Sequence, residues 1–469
     1  MLRSGIDRVI ATLARVLLLG FYRRVEIDGR SRIPRGRPVM VVANHFNGFV
    51  DPVLVVAALG RLPRFLAKAT LWKVVPARPF LALAGVVPVY RAEDGATGGN
   101  ARTFARCAAV FRRGGTVALF PEGTTHDDLR LAKVRTGAAR IALGSRAVGT
   151  EGLLVLPVGI VFDDKVALRS GVLIRVGEPV ELDALVSELR PDAPDADDTD
   201  HALVRAVSTR IADALGEVSG DYDDWKEAAR LRFAAEVAIR RDGSQDVTLA
   251  EREDLAQRLA HADDTEREEL LDALGRYALD LDHVRLTDRQ VLARAGLGRA
   301  VGRLAVNLVM LAVLAPFLVT GVVVNLAPWW AVWVSGAAIR VPVTKGTVRF
   351  LVALVAFPAS WWIWAYVVLG RRGWAVPLAM LAFLVLGLAT VWLVERWWSL
   401  IRDWGAWATL RNRRALVDQL LPDRVAVVAA VAQVTAGGVA GSGEDGYGSQ
   451  SARRSDRRGV EQSGSSSGS

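Results

Sequence analysis

Cysteine is almost absent from this sequence, because Cys107 is the only one among 469 residues. A single cysteine excludes an internal disulfide and fits a reducing compartment. Cys107 lies in a segment with a helical pattern, so a packed core side chain is a better interpretation than a nucleophile. The five histidines are scattered without the spacing of metal ligands, and we expect neither a metal site nor a bound cofactor.

Acidic residues are outnumbered, with 59 Lys and Arg against 50 Asp and Glu, which gives a net charge of +9. This balance suits an anionic lipid surface. Nucleic acid is the rival explanation, but no basic run with interleaved aromatic residues occurs before the C-terminal tail, and we expect no nucleic-acid partner. The hydrophobic fraction of 51% and the mean hydropathy of +0.25 are high for a soluble protein and indicate a membrane portion.

The apolar residues are concentrated in the C-terminal half. Three apolar runs are long enough to cross a bilayer: 304–326, 350–369 and 376–395. Between two and four spans are consistent with the sequence, three being preferred, because 327–340 is apolar yet short. Arg299 and Arg303 precede the first run, which by the positive-inside rule places the preceding domain in the cytoplasm. We expect an integral protein of a bacterial inner membrane. A transporter is the rival, but the runs hold few ionisable residues, so an anchor is the simpler interpretation.

Composition divides the chain into seven segments. They are an amphipathic N-terminal helix (1–24), an α/β domain (25–189), a linker (190–199), a charged helical segment (200–298), a transmembrane region (304–395), a juxtamembrane helical segment (400–435) and a disordered tail (436–469). For the first helix, packing on its own domain and insertion into a membrane interface are equally supported. A signal peptide is disfavoured because Arg15 interrupts the apolar stretch.

Short apolar runs alternate with helical patterns in the N-terminal part. Residues 38–42 form a continuous apolar run, which predicts a buried strand that ends just before His45. Further strands are expected at 85–90, 116–120, 153–158 and 172–176, with helices near 100–112 and 132–145. This alternation predicts an α/β domain with a largely parallel sheet.

The segment Asn44-His45-Phe46-Asn47-Gly48-Phe49-Val50-Asp51-Pro52 carries the first chemical signal. A histidine after a buried strand, with an aspartate close behind, can act as a general base that a carboxylate orients. Asp51 followed by Pro52 is also the pattern of a helix N-cap and first helical residue. Cap and catalytic partner are equally supported, and one residue can serve both roles.

A second signal is Phe120-Pro121-Glu122-Gly123-Thr124-Thr125, which follows a predicted strand. The Pro-Glu-Gly turn has backbone N–H groups that could face an anion. The two segments together indicate transfer of a group onto the hydroxyl of a phosphorylated acceptor.

Four ordered blocks resemble the glycerophospholipid acyltransferase family. They are the His45/Asp51 block, Gly85-Val86-Val87-Pro88-Val89-Tyr90-Arg91, the Phe120–Thr125 block and Val155-Leu156-Pro157-Val158-Gly159-Ile160. The resemblance covers roughly residues 25–180 and is specific because the blocks keep the family's order. The family's commonest spacing has four residues between His and Asp, whereas five intervene here. This longer spacing looks like a branch that includes fungal glycerol-3-phosphate and dihydroxyacetone-phosphate acyltransferases.

The resemblance implies transfer of a fatty acyl group from acyl-CoA or acyl carrier protein as co-substrate. It implies the following roles: His45 and Asp51 are catalytic, Arg91 binds the acceptor phosphate, and Glu122 and Gly123 bind the acceptor. A carboxylate does not bind phosphate directly, so we expect Glu122 to orient Arg91 or to accept from an acceptor hydroxyl. Thr124 and Thr125 are candidates for further hydroxyl donors. Lys68, Lys133 and Arg135 are further cations that phosphate or coenzyme A would attract. The fourth block has no proton to move and is as consistent with a sheet strand as with a wall for the acyl chain.

The acceptor is the open point of this interpretation. The broader family favours a lysophospholipid, 1-acylglycerol-3-phosphate, while the longer spacing favours glycerol-3-phosphate or dihydroxyacetone phosphate. An inactive membrane-anchored lipid-binding or scaffold protein is the alternative of another class, and the intact set of residues argues against it.

Overall fold

The structure is a computed structural model that describes residues 2–73, 78–90, 100–193, 195–293, 297–370, 375–412 and 414–441. Arg91, the predicted phosphate ligand, lies outside the described residues. So does most of the predicted disordered tail, although its first residues, 436–441, are helical and end the last helix of the described chain.

The described part of the chain contains eight strands. Their bounds are β1 Arg24–Asp28, β2 Val39–Ala43, β3 Arg64–Lys68, β4 Val87–Val89, β5 Thr116–Leu119, β6 Leu154–Phe162, β7 Gly171–Val176 and β8 Val180–Glu181. The helices up to the first long apolar run are α1 Leu2–Phe21, α2 Val50–Leu59, α3 Arg78–Leu83, α4 Asn100–Phe111, α5 Gly137–Ala147, α6 Leu182–Leu189, α7 His201–Val218, α8 Trp225–Ile239, α9 Leu249–Ala260, α10 Asp264–Val284 and α11 Asp288–Ala293. The remaining helices are α12 Leu297–Ala338, α13 Pro342–Leu369, α14 Val376–Asn412 and α15 Arg414–Gly441.

The strands form one sheet in the order β1-β7-β6-β2-β5-β3-β4, with β8 paired to β6. Strands β6, β2, β5, β3 and β4 are mutually parallel, whereas β7 and β8 run antiparallel to β6. The predicted α/β fold with a largely parallel sheet is therefore confirmed. Strands β1, β3 and β8 were not anticipated, because their short segments mix charged and apolar residues and have no continuous apolar run.

Both faces of the sheet are covered by helices. Strand β2 is buried along its whole length, which explains its unbroken apolar sequence. On one face α4, α5, α6 and α7 pack on the sheet around a core that includes Met40, Phe111 and Leu143. On the other face α2 is buried along most of its length and contacts the sheet and α1. Helix α2 is hydrophobic all round because it is enclosed on several sides.

The structure divides the chain differently from the predicted segments. One compact unit comprises Met1–Trp225 and Gly298–Arg402, and the other comprises Lys226–Leu297 and Asp403–Ser469. Helix α7 belongs with the sheet, although the sequence grouped it with the helices that follow. The reason is its apolar stripe, since Leu203, Val207 and Ile211 are buried in the core of the sheet domain.

The second unit is helical and has its own buried core. Tyr277 is fully buried and donates a hydrogen bond to Asp288. Asp288 also accepts from Arg240, which directly follows α8, and from Arg424 of α15, so this buried carboxylate has two cationic partners. Thr248 and Glu251 form a capping box at the start of α9.

Among the described residues, three helices are long and apolar enough to cross a membrane, over Leu304–Ala338, Thr344–Leu369 and Val376–Arg411. The short apolar segment 327–340 is not a separate span, because its residues up to Ala338 continue α12. Few of the residues in these helices are buried, and many of the exposed side chains are apolar, which is the pattern expected of surfaces that face lipid. Asn325 of α12 accepts a hydrogen bond from Trp361 of α13, so a polar contact joins two of the helices.

The fourth sequence block forms the centre of β6, and its Pro and Gly both have structural reasons. Pro157 lies where β6 changes its antiparallel partner from β8 to β7. Its carbonyl accepts from Gly177, and a missing N–H costs no ladder hydrogen bond there. A Cβ atom on Gly159 would overlap the backbone carbonyl of Val218 at the end of α7. The block therefore fixes how closely α7 approaches the sheet.

We expect Gly159→Ala to lower the stability of the sheet domain by about 2–4 kcal/mol, because backbone atoms on both sides must move apart to admit a methyl group. Thermal unfolding of the full chain in detergent measures the loss. Gly216→Ala in α7 is the matched control, since no atom lies within 4 Å of its added Cβ. Equal melting temperatures for the two variants would contradict this account of Gly159.

Candidate active site

The site lies where two adjacent parallel strands end. Val42 of β2 is paired with Leu119 of β5, so the residues that follow each strand emerge side by side. His45 follows β2, and Glu122 follows β5. The carboxyl edge of a parallel sheet is where α/β proteins usually bind ligands, and the topology brings the two sequence signals together there.

Asn44 fixes the direction in which the chain leaves β2. Its buried side-chain amide donates to the carbonyl of Ile160 at 3.0 Å and accepts from the Ile160 N–H at 2.7 Å. This pair of bonds continues the ladder between β2 and β6 by one residue, through a side chain. The backbone at His45 is consequently held by the sheet.

His45 and Asp51 are in direct contact. The Nδ1 atom of His45 lies 3.0 Å from Oδ2 of Asp51. Because a carboxylate accepts the Nδ1 proton, the neutral imidazole carries its lone pair on Nε2. The five intervening residues do not prevent the contact, since 46–49 form a turn that returns the chain to the start of α2. This geometry is that of a general base with its orienting carboxylate.

Asp51 is not the N-cap of α2, which is a correction of one of the two sequence interpretations. Helix α2 starts at Val50 and its cap position is Phe49. The Asp51 carboxylate instead turns back to the loop, where Oδ2 accepts from the N–H groups of Phe46 and Asn47, each at 2.7 Å. Burial raises the pKa of Asp51, while the hydrogen bonds from His45 and from these amides act in the opposite direction.

Phe120 supports the imidazole from the other side. Its ring stacks on the His45 ring with centroids 3.9 Å apart and an interplanar angle of 13°. With Asp51 on Nδ1 and Phe120 on one face, the imidazole has few rotamers available. The side chain of His45 remains 15% exposed, so the ring is fixed but accessible.

Glu122 is buried and uses both carboxylate oxygens within the site. Oε1 accepts the backbone N–H of His45 at 2.8 Å, and Oε2 accepts the backbone N–H of Ala132 at 3.0 Å. Oε2 also contacts Nε2 of His126. Sequence reasoning assigned Glu122 to the acceptor or to the orientation of Arg91. Its described contacts connect the loop after β5 to the backbone of His45.

Gly123 and Thr124 lie beside a cavity of ≈ 350 Å³. The cavity is lined by Glu122, Thr124, Ala132, Lys133, Val134, Arg135 and Thr136. Gly123 has φ of +75°, which favours glycine, and a Cβ there would lie 3.0 Å from Nε of Arg135. The structure thus brings two of the cations suggested by the sequence, Lys133 and Arg135, to a cavity next to Glu122.

His126 and Lys165 belong to the site but were missed by sequence reasoning. The hydrogen bond to Glu122 raises the pKa of His126, and burial opposes it. Lys165 donates to the carbonyl of His126 and forms an ion pair with Asp127. Burial lowers the pKa of Lys165 to about 8, although the charge of Asp51 acts in the other direction. The spacing of four residues between Glu122 and His126 could have indicated their contact from the sequence. Lys165 comes from a distant loop, and nothing in the sequence indicated that it joins the site.

The other predicted residues are more peripheral. Lys68 ends β3 at the same edge of the sheet, and the hydroxyl of Thr124 lies 3.4 Å from the Thr125 carbonyl. Cys107 is buried in the core, and burial raises its pKa to about 12, which fits the predicted structural role. Within the described ranges, no group of three or more His, Cys, Asp or Glu side chains is arranged to hold a metal ion.

Comparison with known proteins shows what the domain that carries this site is similar to. Residues 24–161 match the family model described as Acyltransferase. This matched region contains the four ordered blocks, so the sheet domain is similar to the acyltransferases, as the sequence predicted.

Individual relatives include proteins of two specificities. The chain is 30% identical over 125 residues to glycerol-3-phosphate O-acyltransferase 2 of Saccharomyces cerevisiae, an alignment that covers 26% of this chain and 16% of the yeast protein. It is 26% identical over 166 residues to a chloroplastic 1-acyl-sn-glycerol-3-phosphate acyltransferase of Arabidopsis thaliana, covering 35% of this chain and 43% of that protein. The chain thus spans less than half of the length of these curated relatives.

A solved structure, the 1-acyl-sn-glycerophosphate acyltransferase of Thermotoga maritima, is 21% identical to this chain with a TM-score of 0.33. The match covers 45% of this chain and 79% of that protein.

We expect Glu122→Gln to destabilise the sheet domain by about 1–3 kcal/mol, because an amide nitrogen would face donors that now point at a carboxylate oxygen. Denaturant unfolding of the full chain in detergent measures the effect. The exposed Glu151 provides the control, since Glu151→Gln should change stability by less than about 0.5 kcal/mol. If Glu122→Gln is as stable as the control, Glu122 does not organise the loop.

Proposed function

We propose that this chain is an O-acyltransferase that moves a fatty acyl group from an acyl thioester to a hydroxyl of a glycerophosphate acceptor. The observation that carries the proposal is the His45–Asp51 contact at the carboxyl end of β2, with Nε2 of the imidazole left as the basic atom. The match of residues 24–161 to the Acyltransferase family model supports the reaction class.

The reaction needs only proton transfer and one acyl transfer. His45 Nε2 removes the proton of the acceptor hydroxyl while the oxygen attacks the carbonyl carbon of the thioester. The tetrahedral intermediate then collapses, the C–S bond breaks, and the leaving thiolate takes the proton from the imidazolium. Asp51 holds the ring and stabilises its positive charge, and general base assistance of this kind contributes about 10²–10⁴-fold. The thioester is already activated, so no covalent enzyme intermediate is needed.

The cavity beside Glu122 is the proposed site for the acceptor phosphate. Lys133 and Arg135 line it, and Thr124 adds a hydroxyl. A guanidinium is well suited to a phosphate because its donors form a planar fork. Arg91, by resemblance, supplies a further cation. Acyl-CoA or acyl carrier protein is proposed as the donor.

We infer 1-acylglycerol-3-phosphate as the preferred acceptor, in line with the broader family and the match to the Arabidopsis protein. Glycerol-3-phosphate or dihydroxyacetone phosphate is the second candidate, because five residues separate His45 from Asp51 and a yeast glycerol-3-phosphate acyltransferase is among the relatives. All three acceptors carry a phosphate, so Lys133 and Arg135 do not discriminate among them. 1-Acylglycerol-3-phosphate differs from glycerol-3-phosphate by one acyl chain.

We expect His45→Ala and Asp51→Asn each to lower kcat/KM for acyl transfer by about 10²–10⁴-fold, because one removes the base and the other removes the carboxylate that orients it. Purified full-length protein, labelled acyl-CoA and each of the three acceptors in turn provide the measurement. His283→Ala, an exposed histidine of α10, is the control and should keep wild-type activity.

The same assay tests the acceptor and the reaction class. A much higher kcat/KM for glycerol-3-phosphate or dihydroxyacetone phosphate than for 1-acylglycerol-3-phosphate would overturn the preferred acceptor. Near-wild-type activity in either His45→Ala or Asp51→Asn would refute the mechanism. Turnover of none of the acceptors would leave the scaffold or lipid-binding alternative as the better account.

The proposed location is a bacterial inner membrane, with the sheet domain on the cytoplasmic side. Three helices suitable for crossing a bilayer and the arginines before the first of them support it. We expect the chain to stay with the membrane fraction through alkaline carbonate washing, because these helices bury their apolar surface in lipid. Immunoblotting of pellet and supernatant measures this, and release of the full-length chain would contradict it.

A further inference from the structure

The first turns of α13, a helix suited to cross the membrane, contact the loop that carries the candidate catalytic pair. Asn47 in this loop is only 1% exposed, and neither its side-chain oxygen nor its nitrogen has a hydrogen-bond partner in the described part of the chain. Gly346 of α13 faces this amide. A Cβ atom on Gly346 would lie 2.8 Å from Oδ1 of Asn47, and one on Gly48 would lie 3.9 Å from Oγ1 of Thr347.

Two neighbouring residues fix α13 in this position. Arg349 donates from Nη1 to the carbonyl of Val166 at 2.6 Å. Phe350 is fully buried, with its ring centroid 4.8 Å from that of Phe21 and 5.5 Å from that of Phe49. Phe49 is the last residue of the loop, so α13 contacts the second half of the loop, from Asn47 to Phe49.

Helix α14 adds a second attachment to the same region of the sheet domain. Glu395 accepts two hydrogen bonds from the guanidinium of Arg169, at 2.7 and 2.8 Å. Arg169 and Val166 both lie between β6 and β7. The candidate membrane helices are therefore held to the catalytic edge of the sheet by partly buried polar contacts and by the buried Phe350.

We propose that Gly346 is a positioning residue for the acyl-transfer reaction, and that the start of α13 holds the Asn47–Gly48 turn in the geometry that the His45–Asp51 pair requires. The inference rests on the proposed function for its catalytic consequence. It assigns these helices a role beyond membrane anchoring, because the wall of the active-site loop is a membrane helix.

The physical link runs through one carboxylate oxygen. Oδ2 of Asp51 accepts from the amides of Phe46 and Asn47 as well as from His45. If a side chain at 346 displaces Asn47, the backbone N–H of Asn47 leaves Oδ2 of Asp51. The carboxylate then moves relative to the imidazole. Small misplacements of catalytic groups have large costs, about 10²-fold for 1 Å.

The test uses the full chain in lipid nanodiscs, with Gly346→Ala and Gly346→Val. We expect kcat to fall by about tenfold for Ala and further for Val, with KM for the acyl donor changed by less than about twofold. Gly302→Ala and Gly302→Val in α12 are the matched controls, because nothing lies within 4 Å of a Cβ there. Controls that lose activity equally would show a general effect on the membrane helices and would overturn the proposal.

A compensating substitution separates positioning from simple destabilisation. Asn47→Ala shortens the side chain that meets the new methyl group, so Asn47→Ala combined with Gly346→Ala should regain activity to within about threefold of Asn47→Ala alone. Independent, additive losses would overturn the inference, since they would mean that the two residues do not act through their contact.

Hydrogen exchange of the full chain tests the contact without any turnover. Peptides covering 44–50 should exchange faster in Gly346→Ala than in wild type. In Gly302→Ala the same peptides should exchange at the wild-type rate. Unchanged exchange in Gly346→Ala would refute the positioning role even if the wild type is active. If the wild type transfers no acyl group but the loop exchange still depends on residue 346, the proposed function fails while the structural coupling stands.

Discussion

The arrangement of the candidate site depends on one buried carboxylate. Asp51 is fully buried, and its Oδ2 atom accepts from the His45 imidazole and from the amides of Phe46 and Asn47. Burial of a charge is costly unless donors surround it, and here the donors belong to the turn that the carboxylate closes. The same contacts therefore shape the loop and orient the imidazole. This constraint explains why a spacing of five residues between His45 and Asp51 is compatible with their contact.

The rest of the sheet edge is organised around this turn. Asn44 connects its start to β6, and Glu122 connects the backbone of His45 to the loop after β5. Gly346 lies against its second half. Each of these contacts joins residues that are far apart in sequence, so the site is assembled by the sheet and by α13 together. The cations at the adjacent cavity, Lys133 and Arg135, then lie on a loop that Glu122 holds in place.

Membrane helices that contact an active-site loop constrain how the substrate is reached. An acyl chain partitions into the bilayer, and a site built against the first turns of α13 is close to where such a chain is available. Phe21, Phe49 and Phe350 form an apolar cluster there. The proposed reaction joins a lipid-soluble acyl group to a charged acceptor. An apolar cluster at the loop and a cationic cavity beside Glu122 suit these two reactants.

The sequence by itself determined the fold class, the strands with continuous apolar runs, the apolar helices and the pairing of His45 with a nearby carboxylate. These features follow from local periodicity and from motifs in which all members are close in sequence. Tertiary structure decided that Asp51 closes the turn and is not a helix cap, and that Glu122 binds the backbone of His45. It also brought Lys165 and Gly346 to the site and placed α7 on the sheet. Contacts between distant segments leave no periodic trace in a single sequence, because packing geometry alone decides which residues meet.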